Sequence, residues 1–124
     1  MCGIVGYVGP RQAASILMEG LKRMEYRGYD SAGIAVVNAQ GLDVRKAAGK
    51  LGVLAAELQE GAPTGTLGIG HTRWATHGAP TTPNAHPHVD QSGRIALIHN
   101  GIIENANDLR KALAARGHVF TSAT

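Results

Sequence analysis

The hydrophobic positions of the chain change period several times, and each change marks a predicted element. Ile4 to Val8, set between Gly3, Gly6 and Gly9, reads as a short buried strand. Over residues 10–26 the apolar residues Ala14, Leu17, Leu21 and Met24 recur at spacings of three and four. That spacing predicts a helix, with Pro10 at its tolerated first position and Gly28 beyond its end. Ala32 to Val37 and Leu42 to Ala47 flank Asn38-Ala39-Gln40-Gly41 and predict a hairpin. Leu51, Leu54, Ala55 and Leu58 predict a second helix, stopped by Gly61-Ala62-Pro63. Strands are predicted from Thr66 to His71 and from Arg94 to His99, separated by an irregular stretch over 72–93 that holds three prolines and three histidines. Asn105 to Arg116 predicts a third helix with Leu109, Ala112 and Leu113 on one face, and His118 to Phe120 the start of another strand. No repeat, low-complexity segment or domain boundary interrupts this α+β alternation.

Composition narrows the partners. The 124 residues are 44% hydrophobic, enough for one core. The net charge of +3 comes from 12 basic and 9 acidic side chains spread along the chain. With no basic tract and only Trp74, Phe120 and three tyrosines to stack on bases, nucleic acid is not an expected partner. No apolar run approaches the roughly 20 residues of a membrane span, and no basic n-region precedes an apolar one, so neither membrane nor signal peptide is expected. Cys2 is the only cysteine, which suits a reducing, cytoplasmic setting.

Candidate chemistry begins at that cysteine. Removal of Met1 would place a thiol and a free α-amine on one residue, and an α-amine, ordinarily titrating at about 7.7 to 8.0, can take the thiol proton without a histidine partner. Asn100-Gly101 offers a side-chain amide beside a closely approachable backbone N–H, the donor pair an oxyanion needs, although Asn-Gly is also a common turn. Arg73 suits bidentate capture of a carboxylate, and Trp74 suits covering a site, while an Arg-Trp pair also serves as surface packing. His86-Pro87-His88 invites a metal reading, but there is no cysteine ligand set and no HExxH pattern, so no metal is assigned and these histidines are taken as loop residues. No phosphate-binding glycine loop is present, and no cofactor is expected.

Five motifs occur in order: Cys2-Gly3-Ile4-Val5-Gly6, Tyr26 to Gly33 (YRGYDSAG), His71 to Gly78 (HTRWATHG), Asn84-Ala85-His86-Pro87-His88, and His99 to Asn105 (HNGIIEN). Together they resemble the glutaminase half of the glucosamine-6-phosphate synthase branch of the class II, N-terminal-cysteine glutamine amidotransferases, and the resemblance spans the chain. Tyr29-Asp30 and Trp74 to His77 favour this branch over the phosphoribosyl-pyrophosphate amidotransferases, which remain the alternative along with a non-catalytic domain of the same fold.

The resemblance implies an N-terminal-nucleophile αββα sandwich, present only in part, with residues 1–124 forming the beginning of the glutaminase domain and the sugar-phosphate isomerase domains absent. It also implies roles. Cys2 attacks the glutamine amide, Asn100 and Gly101 hold the oxyanion, and Arg27 steadies the closed site. Arg73 clamps the glutamine α-carboxylate, Thr76 and His77 line the pocket, and Trp74 closes it. Ammonia would pass to fructose 6-phosphate on an absent domain, in a parent expected to be a homodimer. An aspartate that holds the glutamine α-amine would follow Thr124, so the chain alone is expected to be inactive. Sheet edges made to meet missing partners predict weak stability or association.

Overall fold

The structure, a computed structural model, describes residues 1–124. Its elements are β1 (Gly3–Val8), α1 (Ala13–Arg23), β2 (Ser31–Asn38), β3 (Gly41–Ala48), α2 (Leu51–Gln59), β4 (Leu67–Arg73), β5 (His88–Val89), β6 (Ala96–Leu97) and α3 (Ala106–Ala115), with a 3-10 turn at Glu25–Arg27. Four strands form an antiparallel sheet in the order β1-β4-β2-β3, and β5 and β6 form a separate pair.

Paired residues in an antiparallel sheet share a face, so register alone sorts this one. Helices α1 and α2 cover the first face, where Ala13, Ala14, Leu17, Leu21, Ile34, Val36, Leu51 and Leu54 make the core. The second face carries the His71 row: Ile4 and Gly33 pair with His71, while Val8 and Val37 pair with Leu67 four residues back along β4. The segment 84–88 covers this face near His71. At the far end Val8 is 81% exposed and Leu67 43%. One helical layer, a four-stranded sheet and a separate two-stranded pair are therefore present, an α+β arrangement that covers part of the αββα fold.

Four boundaries differ from the sequence expectation, each for a visible reason. Helix α1 starts at Ala13, not Pro10, because the Gly9 and Ala13 N–H groups donate to Thr66 O and Gly65 O, tying this segment to the approach of β4. Strand β4 runs on to Arg73 because Ser31 and Ala32 continue the ladder opposite Arg73 and Thr72. The predicted strand from Arg94 to His99 shrinks to Ala96–Leu97 because Asp90 Oδ1 accepts the N–H groups of Arg94 and Ile95 at 2.9 and 2.8 Å, drawing them into the turn between β5 and β6. His118 to Phe120 forms no strand; the Val119 N–H donates to Gln91 Oε1 at 3.0 Å and the His118 N–H to Leu113 O. Helix α3 forms where expected, but none of its residues is buried.

Candidate active site

The β1–β4 register decides where the cysteine lies. Gly3 pairs with Thr72, so Cys2, one residue ahead, reaches the end of β4. There the Trp74 backbone N–H donates to Cys2 Sγ at 3.2 Å, and the thiol faces the Trp74 carbonyl at 3.7 Å. Met1 is in place, and its ammonium donates to the carbonyls of Arg27 and Gly28, each at 3.2 Å. Arg27 therefore meets the N-terminus through its backbone. Its guanidinium turns outward onto Tyr26, with Nε 3.3 Å from the Tyr26 hydroxyl, and is not brought to the pocket expected for it. Gly28 lies under the Trp74 ring, where a Cβ would stand 3.2 Å from Cζ3. The indole is 52% exposed at the rim.

Two charged residues shape the loop after β4. Asp30 Oδ2 accepts the Ala75 N–H at 2.6 Å, and the Asp30 N–H donates to Arg73 O at 2.7 Å. Arg73 is 5% exposed, and its guanidinium donates to the carbonyls of Ala79 at 3.1 Å, Gly78 at 3.5 Å and His77. Its donors thus hold the 77–79 loop, while the residue also lines the pocket. Thr76 and His77 line that pocket as expected.

A second loop is fastened to the sheet face from below. Lys46 Nζ donates to Ala85 O at 2.9 Å and Pro83 O at 3.3 Å, and the Ala48 N–H donates to Thr82 Oγ1 at 3.2 Å. Asn84 is buried, giving Nδ2 to Ala79 O at 3.0 Å and accepting the Ala123 N–H at 2.8 Å. Only glycine fits at position 33, because a Cβ there would overlap the His86 carbonyl oxygen. The His86 ring sits 4.3 Å from that of His71 and 4.5 Å from that of His88. These rings meet tilted, at interplanar angles of 35° and 60°, and no group of three His, Cys, Asp or Glu is arranged to hold a metal. Burial, reinforced by neighbouring cations, pushes His86 down to about 3 and holds His71 and His88 below their ordinary 6.5.

Asn100 completes the site. His71 Nε2 and Asn100 Oδ1 are 2.7 Å apart, and neither Asn100 Nδ2 nor the Gly101 N–H donates to another protein group. Cys2, Arg73, Trp74, Thr76, His77, Asn100 and Gly101 line one cleft of about 250 Å³. Of the residues singled out in the sequence, only Arg27 is missing from its wall. Sequence reasoning did not assign His86, His88, Leu97, His99, Ile102, Ile103, Ala106 and Thr124 to that wall. Only the motif membership of the histidines and isoleucines hinted at them. Asp30, which positions one loop, was marked in the sequence only as a member of the Tyr26 to Gly33 motif, and Lys46, which fastens the other, gave no signal beyond a charge within a strand.

The fold is that of the N-terminal-nucleophile amidotransferases, present in part. Among solved structures, the chain superposes on the glutamine phosphoribosylpyrophosphate amidotransferase of B. subtilis, complexed with ADP and GMP, with a TM-score of 0.77 and 28% identity, covering 100% of this chain and 27% of that one. It superposes on a structure described as the allosteric regulatory enzyme of purine biosynthesis with a TM-score of 0.80 and 29% identity, covering 98% and 27%. In sequence it is 64% identical over 124 residues to the isomerizing glutamine–fructose-6-phosphate aminotransferase of Thermus thermophilus, 62% over 125 residues to that of Streptomyces coelicolor, and 56% over 124 residues to that of Pyrococcus horikoshii. Each match takes in the whole chain and the N-terminal region of the relative. The chain spans about a fifth of the length of these curated relatives, 20 to 21%. No protein-family model matches it.

Proposed function

We propose that this chain is the glutamine-cleaving part of an amidotransferase that supplies ammonia to fructose 6-phosphate, giving glucosamine 6-phosphate and glutamate in the longer protein. The observation that carries the reading is the meeting of Cys2 Sγ with two unengaged donors, Asn100 Nδ2 and the Gly101 N–H, on one cleft. Once Met1 is removed, the thiol proton passes to the Cys2 α-amine and the sulfur attacks the glutamine side-chain carbonyl carbon. The carbonyl oxygen takes up the negative charge, which the two donors receive. The C–N bond then breaks, the α-amine returns its proton to the departing nitrogen, and ammonia leaves a γ-glutamyl thioester. Water attacks that thioester, releasing glutamate and the thiol.

Arg73, with Thr76 and His77, holds the glutamine backbone groups, and Trp74 covers the mouth. Identities of 53 to 64% with fructose-6-phosphate aminotransferases favour the sugar-phosphate acceptor over the purine route of the structural neighbours, which are 28 to 29% identical. No helix is long and apolar enough to cross a membrane. A cytoplasmic location, which keeps Cys2 reduced, and a homodimeric longer protein belong to the same proposal.

Intact-mass analysis before and after an electrophilic glutamine analogue tests it. Loss of Met1 followed by one adduct, absent in Cys2→Ala and blocked by excess glutamine, is the expected result. Retention of Met1, or labelling no faster than that of a free thiol in the full-length protein, overturns it.

A further inference from the structure

His71 lies outside the cleft and has no place in the reaction just described, yet it is the one protein group bonded to the Asn100 side chain. It is fully buried on β4, on the sheet face that carries the 84–88 loop. Asn100, by contrast, sits in an exposed irregular stretch after β6, just before the bend at Gly101, with little else to orient its amide.

We propose that His71 is a positioning residue for glutamine cleavage: its Nε2–H, donated to Asn100 Oδ1 at 2.7 Å, turns the Asn100 carboxamide so that Nδ2 faces the cleft where the oxyanion forms. The inference rests on the glutamine-cleaving reading above.

Proton inventory carries the argument. Burial and the nearby Arg73 keep His71 below its ordinary 6.5, so it is neutral near pH 7 and has one ring proton. Asn100 Oδ1 has no proton to give, so the proton of this bond belongs to Nε2. The other ring nitrogen, Nδ1, is then an acceptor, and it is buried with no partner. The reversed amide would give Asn100 Nδ2 to Nε2 and move the ring proton to Nδ1, leaving a buried N–H without an acceptor. It would also aim Oδ1 at the site of a developing negative charge. Nδ1 is unpaired in either arrangement, but a buried N–H without an acceptor is the rarer and costlier orphan, so both consequences disfavour the reversed amide, and the first arises before any substrate binds. The His86 ring, tilted against the His71 ring with centroids 4.3 Å apart and carried by a loop whose His86 carbonyl packs on Gly33, limits how far the imidazole can turn. The oxyanion donor in an exposed stretch is thus oriented by the rigid sheet behind it.

The test compares His71→Gln and His71→Asn in the full-length protein, each alone and with Asn100→Ala, reading kcat and KM for glutamine hydrolysis and the thermal midpoint. Glutamine can place an N–H near the Nε2 position; asparagine is too short. His71→Asn is expected to lower kcat about 10- to 100-fold with little change in KM, below the roughly 100- to 1,000-fold typical of deleting an oxyanion donor outright. His71→Gln should recover most of that loss, and in the Asn100→Ala background the two variants should have equal kcat. Equal losses in both variants, losses that persist in full without Asn100, or a change confined to KM would overturn the inference. If Asn100→Ala itself leaves kcat unchanged, the glutamine-cleaving assignment of the cleft fails and this inference with it; a loss in Asn100→Ala without one in His71→Asn removes the inference alone.

Discussion

The backbone N–H of Trp74 donates to the sulfur of Cys2 at 3.2 Å, across 72 residues of sequence. The bond belongs to the main chain, so it is set by the course of the loop after β4 and not by the indole. That course depends on Asp30, whose carboxylate accepts the next N–H, that of Ala75. Asp30→Ala is therefore expected to change the rate of Cys2 alkylation by iodoacetamide and to cost about 1–3 kcal/mol through the lost charge-assisted bond, whereas Trp74→Ala, which uncovers the cleft but keeps the main-chain bond, is expected to speed alkylation at a smaller cost in stability. Alkylation rates followed by mass spectrometry, with urea midpoints alongside, separate the two.

Gly33 admits the carbonyl of His86 against the sheet, with Lys46 Cγ and Arg45 O at 3.0 and 3.1 Å from where a Cβ would stand. Gly33→Ala forces that loop outward and should cost about 1–3 kcal/mol, as overpacking does. It should also separate the His86 and His71 rings, seen as a change in the histidine ring resonances by NMR.

The three adjoining histidine rings give the fold an acid sensitivity of defined sign. His71, His86 and His88 all titrate below 6.5 when folded, burial being the first cause, so the unfolded chain binds protons more readily. Their contribution is complete above about pH 6.5 and is lost as pH falls, for His86 down to about 3. Urea midpoints measured across that range should fall, and His86→Gln should fall less steeply; a flat dependence in the unaltered chain would contradict the burial of these rings.

Arg73 reaches three loop carbonyls from one planar group. A lysine is a single point of charge and cannot span them. Arg73→Lys should therefore loosen the 77–79 loop and, if the remaining donors hold the glutamine α-carboxylate, raise KM about tenfold or more, equivalent to about 1.4 kcal/mol. Steady-state glutaminase assays of the full-length protein check this, with hydrogen exchange at residues 77–79 reporting the loop.

Much of this arrangement was legible in the residues, and the limits have physical causes. The spacing of Leu17 and Leu21 and the alternation through Ile34 and Val36 read correctly because burial against one sheet face imposes a strict period. Cys2 was singled out as a thiol beside a potential amine, and Asn100 and Gly101 through their motif, an Asn-Gly pair alone being a common turn; the structure brings all three to one cleft. The side-chain direction of Arg27 was not legible, since it depends on the 3-10 turn that carries its carbonyl to the N-terminus. Nor was the link from His71 to Asn100, which joins two motifs 29 residues apart. The extent of the strand after Asp90 was misjudged because one carboxylate outcompetes the ladder for the Arg94 and Ile95 N–H groups.

The most direct measurement is the mass of the full-length protein quenched in acid during turnover of glutamine. Chain lacking Met1 and carrying one γ-glutamyl group on Cys2, removable by hydroxylamine and absent in Cys2→Ala, is the result expected of the proposed thioester. Continued release of glutamate and ammonia by Cys2→Ala, or turnover by chain that still carries Met1, would contradict it.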